Sequence, residues 1–132
     1  MRLIFNTGAD DLRPGSAVSA FVILKDGRRV ESKPLNCRRD NCTGFQAKSR
    51  KTLEWTLDPK TTLRPEEIYR FGLALKSGRR GLFDTGDNRD LHALEVEYVA
   101  GSQTRLLLEL SNRGGVYRFK SDDSWESDPL RR

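Results

Sequence analysis

The chain has 132 residues, 36% of them hydrophobic and 33% charged, and its 24 basic and 19 acidic residues leave a net charge of +5. That length predicts one domain, large enough to bury roughly two-thirds of the surface exposed by the unfolded chain. Its strongly periodic stretches argue against disorder, and no run approaches the roughly 20 apolar residues of a membrane span.

Apolar residues alternate with polar ones from Arg2 to Asn6, which predicts a first strand with one buried face. The polar Asn6 to Asp11 follow where a secretion signal would carry its apolar stretch. The expected location is therefore cytoplasmic for a full-length protein and extracellular for an excised module. Ala17 to Lys25 is a second strand, ending in the hairpin signal Asp26-Gly27, and Arg29 to Leu35 returns from it. Lys51 to Leu57 sets Leu53, Trp55 and Leu57 against Thr52, Glu54 and Thr56. Thr62 to Glu67 is the only helical hint, one short turn with Pro65 near its start. Ile68 to Lys76 places Phe71, Leu73 and Leu75 on one face, and His92 to Val99 alternates in the same way. Arg105 to Leu110 and Val116 to Phe119 are expected to form a final hairpin across residues 111–115.

Short strands with turn signals and no long amphipathic helix predict an all-β fold, an antiparallel β-sandwich of about eight strands. Residues 1–120 make up this single domain. Residues 121–132 form a polar tail, either a loose end or a strap over the sandwich edge.

Two loops share a spelling, Thr7-Gly8-Ala9-Asp10-Asp11 and Thr85-Gly86-Asp87-Asn88-Arg89-Asp90. Each adjoins a predicted strand. If they meet at one end of the sandwich, Asp10, Asp11, Asp84, Asp87, Asn88 and Asp90 supply the several oxygens that calcium requires. The competing reading is turn formation, in which Asp and Asn bond their own backbone, and Arg13 and Arg89 stand near enough in sequence to pair with these carboxylates.

Several of these segments together resemble the PLAT domain, the β-sandwich of lipoxygenases, lipases, polycystins and clostridial alpha-toxin. The resemblance begins with Thr7 to Asp11 and Gly15 to Val22, which look like that family's first strand, Gly/Asp loop and second strand. It resumes at Leu75-Lys76-Ser77-Gly78 and at Asp87 to Val96, similar to the family's closing motif. Arg89 or Asp90 stands where the family usually has Trp, His92 where it usually has Asp, and residues 101–132 extend past the core pattern. The resemblance implies a PLAT-like, jelly-roll-like sandwich that engages a protein or lipid surface, in some members with calcium.

Other candidates are local. Cys37 and Cys42 enclose four residues, and a disulfide there would contribute about 2 kcal/mol at most; reduced thiols are the alternative. The single histidine and two cysteines cannot complete a tetrahedral metal site, and His92 lacks the partners that general-base catalysis needs. Phe45, Leu82, Phe83 and Trp125 fall in predicted loops or the tail, where large apolar side chains either cap the sandwich or anchor a partner. The basic pairs sit mostly in turns, and aromatics are not interleaved with them as in single-strand nucleic-acid binders, which disfavours nucleic acid. The expectation is a non-catalytic binding module using its acidic loop end, with calcium as the candidate ligand. The alternative is a structural subunit of a larger assembly that uses its Arg-rich loops and C-terminal tail as contacts.

Overall fold

A computed structural model describes residues 2–9, 17–38, 41–42, 49–58, 63–76, 89–111, 117–119 and 123–130. Among them eleven strands are formed: β1 (Arg2–Ala9), β2 (Ala17–Leu24), β3 (Arg29–Glu31), β4 (Cys37–Arg38), β5 (Asn41–Cys42), β6 (Ser49–Thr56), β7 (Ile68–Lys76), β8 (Arg89–Ala100), β9 (Gln103–Ser111), β10 (Tyr117–Phe119) and β11 (Asp123–Glu126). A single 3-10 turn, Pro65–Glu67, precedes β7, with Pro65 at its start where no amide donor is needed. The chain is an all-β sandwich of two antiparallel sheets. One runs β10-β8-β1-β6, with β9 also on β8; the other runs β11-β7-β2-β3, and β4 and β5 form a small separate hairpin.

Period-two alternation builds the interior. Val18, Ala20, Val22 and Leu24 of β2 are buried on one face, and the register sets Val18 against Leu75, Ala20 against Leu73 and Val22 against Phe71. From the other sheet come Leu3 and Phe5 of β1, Leu53 and Trp55 of β6, and Leu94 and Val96 of β8. Phe5 and Phe71 join the layers, their rings meeting edge to face with centroids 6.1 Å apart and planes at 83°.

Phe21 departs from the alternation. It lies on the outer face of β2 yet is 1% exposed. Directly opposite it stands Gly72, and a Cβ built there would fall within the Phe21 ring. The ring therefore lies flat over the glycine backbone, and the Arg29 guanidinium covers it at 3.7 Å from the centroid, within cation–π distance.

The β2–β3 hairpin forms at Asp26-Gly27 as its spelling predicts. The Gly27 N–H donates to the Leu24 carbonyl and the Leu24 N–H to the Arg28 carbonyl. Gly27 closes this loop at φ 93°, a conformation that strains other residues. The predicted third strand, however, ends at Glu31 instead of Leu35, because Pro34 has no N–H to continue a ladder. Beyond it the Ser32 and Leu35 N–H groups still donate to the Ala20 and Val18 carbonyls, and side chains satisfy the β2 amides. Ser32 Oγ accepts from the Ala20 N–H at 2.9 Å, and Asn36 Oδ1 accepts from the Val18 N–H at 2.7 Å. On the far edge of the same sheet, Ser127 Oγ accepts from the Phe71 N–H at 3.1 Å. The Leu130 N–H reaches the Tyr69 carbonyl. Asp123–Glu126 pairs with β7, so this part of the C-terminal segment is an edge strand continued by a strap.

The expected final hairpin is a correction. Strands β9 and β10 do not pair with each other; both run antiparallel to β8, β9 along Ala93–Ala100 and β10 along Leu91–Arg89. The true hairpin joins β8 to β9, with only Gly101 and Ser102 between the paired Ala100 and Gln103. Strands β9 and β10 thus lie in succession along the same strand, β8.

Two variants test this packing. Gly72→Ala is expected to destabilise the chain by about 1–3 kcal/mol through overpacking, and Phe21→Ala in the same chain should remove most of that increment; a double-mutant cycle in urea measures it. Asn36→Ala leaves the buried Val18 amide without its side-chain acceptor, at about 1–3 kcal/mol. Faster hydrogen exchange at Val18 than in the parent chain is the matching local signature.

Candidate functional site

The strands that bound the two Thr-Gly loops converge. At the end of β1, Ala9 pairs with Leu91 near the start of β8. In the second sheet Ala17, which opens β2, pairs with Lys76, which closes β7. The connection 10–16 therefore leaves one sheet and enters the other beside the two points where the connection 77–88 does the same. Both carry the acidic spelling, and both cross at one end of the sandwich.

Neighbouring strands bring cations to this end. Strand β6 sets Arg50 opposite Gly8 and Lys51 opposite Thr7. Strand β10 sets Arg118 opposite Asp90 and Phe119 opposite Arg89. By register, then, basic and acidic residues share this end of the strands. Sequence reasoning missed Arg118 as a neighbour of Asp90, since nothing local signals that β10 returns to β8.

Of the predicted site residues, Asp10, Asp11, Arg13, Phe45, Asp84, Asp87 and Asn88 lie outside the described residues, as do Leu82 and Phe83. Arg89 and Asp90 open β8. Trp125 lies on β11 opposite Leu73, half-buried and packed against the core. Its flanking Ser124 and Glu126 are exposed, as their polarity suggested.

His92 occupies an irregular position. On one side the register passes from Gly8↔Ala93 to Ala9↔Leu91, and on the other from Ser111↔Ala93 to Tyr117↔Leu91. The β1 register skips it. Cys37 is disulfide-bonded. Cys42, the chain's other cysteine, stands opposite it in the β4–β5 register. The bonded residue follows Asn36 directly, so it holds the root of the segment that completes the β2 edge.

Among the described residues no group of three or more His, Cys, Asp or Glu side chains is placed to hold a metal ion. No helix among them is long and apolar enough to cross a membrane. At the opposite end of the sandwich a cleft of about 640 Å³ lies between the β2–β3 turn and the 3-10 turn, with Lys25, Asp26, Arg28 and Arg64 on its walls. Its best-defined charge is Asp26. The Arg28 backbone N–H donates to the Asp26 carboxylate at 2.9 Å and the Arg28 Nε at 2.7 Å. These bonds, the backbone one foremost, hold its carboxyl below the usual value of 3.8. No protein-family model matches the chain, and no curated protein is significantly similar to it.

A depressed folded pKa means that Asp26 stabilises the turn above its unfolded value, and that this is lost as pH falls through the folded value. An NMR titration is expected to place the Asp26 midpoint below 3.8. Arg28→Ala should raise it towards that value while the bond from the residue 28 amide retains part of the shift.

Proposed function

We propose that the chain is a non-catalytic binding module that engages a protein or lipid surface through the end where residues 10–16 and 77–88 cross between the sheets. The observation that carries this reading is the paired exit points, Ala9 beside Leu91 and Ala17 beside Lys76. They support a reading in which Asp10 and Asp11 share a cluster with Asp84, Asp87 and Asn88, beside Asp90 at the start of β8. Carboxylates and amide oxygens on neighbouring loops are the donor chemistry calcium takes, and a bound ion would turn a repelling acidic end into one that bridges to anionic groups. The resemblance of Thr7–Asp11 and Asp87–Val96 to PLAT segments supports the same assignment of fold and surface. The sequence, with its single histidine, offers no second histidine to share proton transfer, which disfavours an enzymatic role.

The alternative of an assembly subunit draws less from the tail than its polarity suggested. Residues 123–130 already direct Ser127 and Leu130 amides onto β7 within the same chain, which leaves the Arg-rich loops as its contacts.

Thermal unfolding with calcium and with chelator tests the proposal, in the parent chain and in Asp10→Ala and Asp87→Ala. Calcium at a hundredfold excess over its dissociation constant should add about 2.7 kcal/mol of stability, and each substitution should abolish the shift. Calcium-dependent sedimentation with anionic vesicles then identifies a lipid surface, and its absence beside a retained thermal shift identifies a protein one. An unchanged midpoint in all three chains removes calcium from the site and leaves these carboxylates as turn formers.

A further inference from the structure

The side of the sandwich carries a second surface, separate from the loop end. Strand β9 is an edge: among the described residues it pairs on one side only, with β8. Between it and the C-terminal strap of the other sheet lies a groove of about 440 Å³, walled by Leu107, Leu108, Leu110, Trp125 and Leu130. That volume falls within the range of clefts that seat ligand groups. Three of these side chains come from the one stretch of the chain where leucines run consecutively, Leu106-Leu107-Leu108 and then Leu110. Leu106 is itself 51% exposed, so apolar surface continues from the groove across the strand.

Among the described residues that line the groove, the charged ones are all acidic. Glu109, Glu126 and Asp128 border the groove. Arg70 lies 3.6 Å from Glu126, whereas Glu109 faces Glu95 across the β8–β9 ladder, a like-charge opposition that costs stability in the free chain. On a chain of net charge +5 this acidic rim around an apolar slot is a local inversion. A partner that lays cations along it relieves the repulsion and gains the apolar burial together.

We propose that this groove receives an extended segment of a partner protein, one apolar side chain seated between the leucines and Trp125 and flanking Lys or Arg residues meeting Glu109 and Asp128. The segment lies along β9, as extended peptides do on open sheet edges. The register passes from Val96↔Leu108 to Glu97↔Leu106 and leaves Leu107 as a bulge. That bulge breaks the row of free backbone groups and blunts indiscriminate strand addition. Recognition therefore rests on the groove and its rim more than on a long ladder. Charge complementarity selects this occupant over a second copy of the chain, which would bring the same acidic rim to face its own.

The test uses the full chain and two acetylated, amidated peptides, Lys-Thr-Val-Leu-Val-Thr-Lys and its counterpart with both lysines replaced by glutamate. Hydrogen exchange and Trp fluorescence in a Trp55→Phe background are the readouts. The lysine peptide is expected to slow exchange at the Leu108–Leu110 amides, to shift Trp125 emission, and to bind at least about tenfold more tightly than the glutamate peptide. Glu109→Lys and Asp128→Lys, both at exposed positions, should each reverse the preference, Asp128→Lys without moving the melting temperature and Glu109→Lys with a small rise as the repulsion from Glu95 is replaced by attraction. Equal binding of the two peptides, or no response at β9, overturns the proposal. So does concentration-dependent protection of β9 without peptide, because the occupant is then a second copy.

Discussion

The edge-to-face contact of Phe5 with Phe71 is the constraint on which the remaining architecture depends. Each ring comes from an inner strand of its sheet, β1 flanked by β6 and β8, and β7 flanked by β2 and β11. Both are wholly buried. Their meeting fixes the spacing of the layers and the faces that the other strands must present. Val22 beside Phe71 and Val96 beside Phe5 are buried for that reason. Hydrophobic burial supplies most of the stability here, since the exposed ion pairs, such as Arg2 with Glu54 at 3.1 Å, contribute little in water.

Those paired inner strands also decide where chemistry can gather. Strands β1 and β8 lie side by side in one sheet, and β2 and β7 in the other. The links from β1 to β2 and from β7 to β8 must therefore cross at a common end. Nothing about the loops' own residues is needed for that result; it follows from two antiparallel pairings. The residues that bound the two acidic stretches, Ala9 with Leu91 and Ala17 with Lys76, therefore stand at one end of the sandwich.

Strand patterning was legible wherever one face is apolar and the other polar. Ile68–Lys76 was readable to its end residues, because Phe71, Leu73 and Leu75 mark the buried face. Strand β11 was not, since Trp125 is its only large apolar residue and an edge strand needs no more. The register of β10 was hidden for a different reason. Residues 112–116 have the Gly-rich composition of a hairpin turn, and only a distant pairing shows that β10 runs along β8 and not along β9. Phe21 also broke the parity expected of β2, and the explanation lies across the sheet at Gly72, where no rule local to β2 can see it. At the candidate site, the two loops and their likeness to one another were visible, while their adjacency depended on contacts far apart in the chain. The side groove left a faint trace, the run of leucines on β9, but its other wall is contributed by the C-terminal strap.

The position of β1 inside its sheet has a consequence for how the chain comes to be folded on a ribosome. Strand β1 is made first, yet its two hydrogen-bonded neighbours are β6 and β8, and Phe5 waits for Leu53, Val96 and Phe71 to be synthesised. Strand β2 likewise needs β7, and the edge of β7 is completed by Ser127, 56 residues after Phe71. Such distant pairings fold slowly, because the loops they close must be ordered before any contact rewards them. The nascent chain therefore carries unpaired apolar strands until these distant partners have been made, and it is exposed to aggregation in the meantime.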